Sequence, residues 1–434
     1  MASSINVQAD AIVGTLTKSG DATGNLTFQT NGTTALTINT SQNITFNSTG
    51  AFTVPVGNTA QRPNPLVNGM IRYNTAYTAV EGYVNDTWVG VAGTVPTFAV
   101  AGFTVPATMN SSTTPAIMTS VTYGYGNGLY VAVGYLGTSN YPVYATSSDG
   151  STWTTPATMN SSTTAALMTS VTYNGSLYVA VGYNGSNFPV YATSSNGSTW
   201  TTPAAMNGTT TQFYMKSVTY GNGLFVAVGY SAPNNAVYAT STDGSTWITP
   251  ASMGTATGGL MQSVIYANNK FVSVGYVSSN NLPVYATSTD GSTWTTPAAM
   301  NGTAAGAPIF SVAYAKNLFV AVGNKINGTP CYATSTDGST WTTPAAMNGT
   351  TNLVIMNSIT YGNGLFVAIG DTTVTSPTVP MYSVSSNGST WITPLAMGGT
   401  ATQSTVNSIA YNNNKFVAVG MLGTAGNPTY ATSN

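Results

Sequence analysis

Groups able to move a proton are scarce in this 434-residue chain: 9 Asp and Glu, 8 Lys and Arg, one Cys and no His. Asp149, Asp243, Asp290 and Asp337 each stand in a Ser-x-Asp-Gly-Ser-Thr-Trp segment, and Asp371 stands outside that pattern. Two carboxylates could cleave a glycosidic bond if they lay roughly 5–10 Å apart across it. The four segment aspartates recur singly along the chain, so they are expected on equivalent outer turns and no pair is expected to meet. A nucleophilic Ser needs a base, and without His only a Ser–Lys dyad remains. Lys216, Lys270, Lys316, Lys325 and Lys415 are dispersed, and no motif frames such a dyad. One Cys permits no internal disulfide, and the composition lacks the ligands of ordinary zinc, haem or Cys–His sites. No catalytic residue, metal or cofactor is therefore expected, and the chain reads as a non-enzyme.

Recognition needs other chemistry, and here the chain is rich in aromatic rings beside amides and hydroxyls. Tyr135, Tyr183, Tyr230 and Tyr276 occupy one equivalent position in four successive repeats, with Asn324 and Asp371 at that position in two later ones. Tyr141 and Phe188 follow within two of the same loops, and Phe213 and Tyr214 stand in another. Ring faces next to Asn and Ser suit sugars, which offer C–H patches and hydroxyl groups. The competing reading is that these tyrosines cap the core and keep a wet hydroxyl.

A regular scaffold must position these residues, and it is visible as an internal repeat. Trp153, Trp200, Trp247, Trp294, Trp341 and Trp391 recur at spacings of 47, 47, 47, 47 and 50. A Val-Ala-Val-Gly-type element occurs seven times, ending at Gly134, Gly182, Gly229, Gly275, Gly323, Gly370 and Gly420. Each unit reads as four strands. Strand A is the Ser-Val-Thr-Tyr segment, strand B Leu-Phe-Val-Ala-Val-Gly, strand C Val-Tyr-Ala-Thr-Ser and strand D Thr-Trp-Thr-Thr-Pro. Gly-Asn-Gly, Asp-Gly and Asn-Gly turns join A to B and C to D, because these residues tolerate positive φ. Four strands in about 47 residues is one blade of a β-propeller.

The ends of the array complement each other. The last unit stops after strand C at Tyr430–Ser433, while an unpaired D-like segment precedes the first strand A, with Phe103 in the Trp position. Residues 97–105 are therefore expected to complete the last blade, closing a ring of seven. An open array would leave bare strand edges.

The turn segment resembles the Asp-box of sialidase-type propellers, one residue shorter, with Asn196 and Asn387 in place of Asp in two units. The resemblance implies a propeller over about 97–434. It does not carry the family's activity, since both arginines, Arg62 and Arg72, precede the repeats and the repeats hold no Glu. In these turns the Asp or Asn accepts backbone N–H groups, and the Trp is expected to cover the outer core.

Upstream, residues 61–91 contain Arg62-Pro-Asn-Pro-Leu-Val-Asn-Gly-Met-Ile-Arg72-Tyr-Asn-Thr, then Glu81-Gly-Tyr-Val-Asn-Asp-Thr-Trp88. This looks like a short module of phage tail fibres and related virion proteins. It implies a β-hairpin unit, assigned to 59–96, whose rare charges pair with each other. Residues 1–58 carry alternating stretches at Leu26–Phe28, Leu36–Ile38, Ile44–Phe46 and Phe52–Val54. So few core formers are marginal alone, so a homotrimeric β-rich stalk is expected, with an unfolded polar linker as the alternative.

The chain has 4% charged residues, against about 25% in ordinary domains, and a net charge of −1. That leaves no basic footprint for nucleic acid, while 42% hydrophobic content argues against simple disorder. No secretory leader and no apolar run of about 18 residues is evident, so synthesis in a cytoplasm without membrane insertion is expected. Asn-x-Ser/Thr triplets, as at Asn110, follow from composition and are not read as glycosylation sites. The all-β reading is a phage tail fibre or similar virion appendage whose propeller binds a host-surface glycan or protein. Other virion proteins would be held by the N-terminal region. The alternatives are a structural virion protein whose propeller docks other subunits, and a bacterial lectin or adhesin. A neutral binding surface predicts little dependence on salt.

Overall fold

The computed structural model describes residues 102–433 except 209–210, 255–257, 302–305, 348–352, 373–376, 400–402 and 424–425. Of the first 101 residues it describes 19–20, 26–30, 33–38, 44–46, 55–58, 61, 68, 70–74, 79–84 and 87–90. The chain divides into two compact units, Met1–Thr97 and Phe98–Asn434.

In the first unit, strands Ser19–Gly20, Leu26–Thr30, Thr33–Ile38 and Ile44–Phe46 form one antiparallel sheet in sequence order. These contain three of the four alternating stretches; Phe52–Val54 lies outside the described residues. A second sheet orders Val56–Gly57, Ile71–Asn74, Ala79–Val84 and Thr87–Gly90, its first pair parallel and the others antiparallel. Here Arg72 faces Glu81 across the hairpin with Nε 3.6 Å from Oε1, and the two are only 4% and 2% exposed. Burying two charges is costly unless their remaining valences are filled. Arg72 donates to the carbonyls of Gln61 (2.6 Å) and Asn58 (3.0 Å), and Asn74 Nδ2 donates to Glu81 Oε1 (3.0 Å). The other arginine of the module, Arg62, lies outside the described residues.

The second unit is a β-propeller of four-stranded antiparallel sheets, seven of which follow one another among the described residues. Sheet 1 consists of Ala116–Gly124 (A), Leu129–Leu136 (B), Pro142–Ser147 (C) and Ala157–Thr158 (D), and sheets 2 to 7 begin with strands A at Ala166–Tyr173, Phe213–Gly221, Gly259–Ala267, Ile309–Ala315, Val354–Gly362 and Ser404–Asn412. Strand B explains why the repeat is so apolar. Tyr130 and Ala132 pack with Trp153 in the core on one side of the sheet, while Val131 and Val133 enter the core shared with Trp200 of sheet 2. A strand covered on both faces has no reason to alternate with polar residues.

Every strand A carries a β-bulge, at Thr119, Thr169, Lys216, Gln262, Phe310, Asn357 and Asn407. The closing glycine of strand B sits opposite; a Cβ on Gly134 would lie 1.9 Å from the Ile117 carbonyl oxygen, so no larger residue fits. The serine after each bulge accepts a backbone N–H from strand A of the next sheet. Val171 donates to Ser120 (3.2 Å), Val218 to Ser170 (3.1 Å) and Val264 to Ser217 (3.1 Å). The series continues with Val312 to Ser263, Ile359 to Ser311 and Ile409 to Ser358, and Val121 of sheet 1 donates to Ser408 of sheet 7.

Two expectations about strand D need correction. The Thr-Trp-Thr-Thr-Pro segment is not the ladder; the pairing falls on the two residues after the proline, as Val143↔Thr158 and Tyr144↔Ala157. Pro156 cannot donate to a ladder, and Trp153 is held in the turn by its Nε1–H bond to the Gly150 carbonyl (3.0 Å). The closing strand shifts for the same reason. Ala107–Thr108 pairs with Thr429 and Tyr430, later than the 97–105 expected, of which 97–101 lie outside the described residues. Upstream of that ladder, Thr104 N–H still bonds the Thr432 carbonyl at 2.8 Å.

Candidate functional site

The two rims of the propeller differ. On one rim each A–B turn meets the next C–D turn. Asp149 shows how these turns are built: its Oδ1 accepts N–H from Ser151 (2.8 Å) and Thr152 (2.6 Å), and its Oδ2 accepts the Thr152 hydroxyl. Asp243, Asp290 and Asp337 repeat the backbone pattern, and Asn196 and Asn387 repeat it uncharged. The bonds to Thr152 and Ser151 hold Asp149 down to about 2, and the equivalent donors Thr246 and Ser245, and Thr293 and Ser292, hold Asp243 and Asp290 there. Asp337 also falls to about 2, against a desolvation that alone would raise it. Trp200, Trp247, Trp294, Trp341 and Trp391 make the same indole bond as Trp153 and are buried. Lys270, Lys316 and Lys415 donate to carbonyls of Asp337, Ser386 and Asp149, each at 2.8 Å, on neighbouring C–D turns. The carboxylates and most lysines of this rim are thus spent on turn geometry.

The other rim is made of B–C and D–A loops. The carbonyl of a B–C loop residue accepts an N–H at or just before the start of strand A of the next sheet. Examples are Asn140 to Ala166, Asn187 to Phe213, Asn281 to Ala307, Gly328 to Val354 and Gly426 to Ala116, all within 3.0 Å. The loops are therefore anchored at a common point and vary beyond it, where recognition tends to be carried.

On this rim the bulge residues become informative. Thr119 and Thr169 hydroxyls donate to the carbonyls of Met168 and Met215 on the next sheet (2.6 and 2.7 Å). Asn357 and Asn407 amides do the same to Val406 and Met118, each at 2.9 Å. Lys216 makes no such bond among the described residues. Its Nζ sits 5.5 Å from the ring centre of Tyr183 and 5.8 Å from that of Tyr230. Tyr214 stacks on Tyr230 at 4.8 Å with a 20° tilt and meets Tyr183 edge-on at 5.1 Å. Burial lowers the ammonium from its ordinary range. Burial, followed by the neighbouring phenols, raises Tyr183 and takes Tyr230 to about 12.

Three of the aromatic residues singled out from sequence thus share one site, around a lysine that sequence reasoning left among the dispersed ones. Tyr135 and Tyr276 flank it, each raised by burial. Tyr276 leans on Phe310, the bulge residue of sheet 5, at 5.8 Å. Phe213 packs against the core of sheet 3. Tyr141 and Phe188 hold the turns of their loops, their carbonyls accepting from Leu136 and Asn184 (both 2.9 Å), and neither joins the ring cluster. Asn324 donates to the Lys325 carbonyl at 3.0 Å. Asp371 is bound into the sheet junction: Oδ1 accepts Val406 N–H and Oδ2 accepts Asn357 Nδ2, both at 2.8 Å. Desolvation outweighs these two donors and raises its carboxyl to about 7. A cleft of about 170 Å³ opens nearby, lined by Thr378, Gln403, Ser404, Thr405, Met421 and Gly423. Cys331, buried in strand C, is raised to about 12 by desolvation.

No protein-family model and no curated protein matches the chain. Solved structures share its fold. The BP39L lectin from Burkholderia pseudomallei superposes with a TM-score of 0.56 at 9% identity, covering 73% of this chain and 95% of that one. YCF48 bound to D1 peptide superposes with a TM-score of 0.50 at 15% identity, covering 78% and 98%. At such identities the likeness is one of fold.

Proposed function

We propose that this chain is a phage tail fibre or related virion appendage, non-enzymatic, whose seven-bladed propeller binds a glycan on the host surface. The observation that carries the reading is the contrast between the rims. One is uniform and its polar groups are spent within its own turns. The other combines variable loops with half-buried aromatic faces grouped across sheets. The tail-fibre-like segment around Arg72 and Glu81 supports the virion assignment, and a lectin among the proteins of this fold supports the ligand class. In this reading residues 1–58 form a trimeric stalk attached to other virion proteins. Three propellers then gain by avidity what each weak site lacks.

The rival is a structural virion protein whose propeller docks other subunits. It draws support from YCF48, a propeller of this fold bound to a peptide. Locating the chain in a virion density map separates the two. A loop-bearing rim directed outward agrees with receptor binding, and a rim sealed against other subunits overturns it. Light scattering after size exclusion tests the trimer; a monomer refutes it.

A further inference from the structure

The Lys216 site permits a narrower statement about the ligand, and it rests on the glycan-binding reading above. Three of the other propeller lysines each donate to a backbone carbonyl. Lys316 also lies over a ring, that of Tyr361, but is tied to carbonyls as well, whereas Lys216 lies over two rings and makes no hydrogen bond to a carbonyl among the described residues. A half-buried ammonium with no carbonyl partner is left to water or to a ligand for its hydrogen bonds. The faces of Tyr183 and Tyr230 attract it through their negative quadrupoles, but they fill no hydrogen-bond valence. Four of the seven bulge residues, Thr119, Thr169, Asn357 and Asn407, are tied to the next sheet by a side-chain hydrogen bond, and the apolar Phe310 packs on Tyr276 of the preceding one. Lys216 likewise leans back to Tyr183 of the preceding sheet, but it brings a charge there. That leaves a cation beside tyrosine rings on the variable rim.

The chemistry of an occupant follows. A single ammonium suits a monoanion and gives charge-assisted hydrogen bonds to it. Flat ring faces suit the C–H face of a pyranose, and phenol hydroxyls suit its hydroxyl groups. We propose that Lys216 binds the carboxylate of a uronic-acid sugar whose ring lies against Tyr183, Tyr214 and Tyr230. One ion pair leaves the binding only weakly sensitive to salt.

The test is calorimetric titration of the full chain with glucuronic- and galacturonic-acid oligosaccharides and with their carboxyl-reduced counterparts. Only the carboxylate differs within each pair. The acidic member is expected to bind at least tenfold more tightly. Lys216→Met should erase that preference, so that the acidic sugar binds no more tightly than its reduced counterpart, and Lys216→Arg should retain most of it. Urea midpoints of both variants check that the fold is intact. Equal binding of acidic and reduced sugars, a preference that survives in Lys216→Met, or no binding of any acidic sugar at millimolar concentration overturns the proposal. The receptor reading fails separately. An acidic sugar held by Lys216 in a protein that does not bind host cells keeps this site and removes the tail-fibre role. Host binding unaffected by Lys216→Met does the reverse.

Discussion

The hydroxyl of Ser408, on the last sheet, accepts the backbone N–H of Val121, on the first, at 3.1 Å. It is the same bond that Ser217 accepts from Val264 between two sheets adjacent in sequence. Residues 287 positions apart thus make a nearest-neighbour contact. Removing a partly buried acceptor costs about 1 kcal/mol. Ser408→Ala and Ser217→Ala are therefore expected to lower stability in urea by similar amounts. A neutral Ser408→Ala beside a costly Ser217→Ala would mean that the sheets do not close on themselves.

Phe103 should matter as much as any of the six tryptophans. Its ring is 2% exposed and lies 5.2 Å from Tyr382 of the preceding sheet, as Trp153 lies 6.2 Å from Tyr430 and Trp200 from Tyr144. Phe103→Ala is expected to cost about 3–5 kcal/mol, read from the denaturation midpoint. A change below about 1 kcal/mol, the size of one surface contact, would show that the closing segment is dispensable.

The turn aspartates act through an oxygen acceptor rather than a charge. Asn196 takes Ser198 and Thr199 N–H groups at 2.9 and 2.8 Å, as Asp149 takes their counterparts. Asp149→Asn is expected to change stability by less than about 0.5 kcal/mol, and Asp149→Ala to cost about 1 kcal/mol. Thermal melts of the two variants decide it; equal losses would refute the acceptor account.

Asp371 and the turn aspartates should give opposite pH dependences. The four turn carboxyls fall to about 2 in the folded chain from an ordinary 3.8, so their contribution is present above pH 4 and is lost as pH drops towards 2. Asp371 is raised to about 7, so the folded chain keeps a proton that the unfolded chain releases. Stability should therefore decline as pH rises from about 4 to about 7. The chain has no His to mask this slope. Asp371→Asn should flatten it, and an unchanged slope in that variant would assign the proton elsewhere.

Much of the architecture could be read in the sequence because the repeat is written in residues with strong local meaning. Asp-Gly and Asn-Gly fix the C–D turns, and the Val-Ala-Val-Gly-type element marks a strand apolar on both faces. Phe103 in a tryptophan's place disclosed where the missing strand comes from. The fourth strand was misplaced because the Trp segment alternates like a strand, while its indole and its proline commit it to the turn. The bulge left a trace, a Met-x-Ser pattern with a variable middle residue, but its meaning depends on a neighbouring sheet some 47 residues away. Lys216 was missed for that reason. It follows no periodicity among the lysines, and Tyr183 reaches it from the preceding sheet. Asp371 was read as a loop residue, whereas Val406 and Asn357 draw its carboxyl into a junction.

The pairing of Ala107 with Tyr430 also sets a schedule. The Thr429 hydroxyl that bonds the Ala107 carbonyl is made 322 residues after it. Six sheets can gather as the ribosome works, yet the strand Ala107–Thr108 waits without its sheet until the repeat over 404–433 emerges. Through that interval Phe103 has no pocket, and contacts this distant in sequence form slowly. A chain cut off early, or misread near Tyr430, would present an uncovered phenylalanine and a bare strand edge.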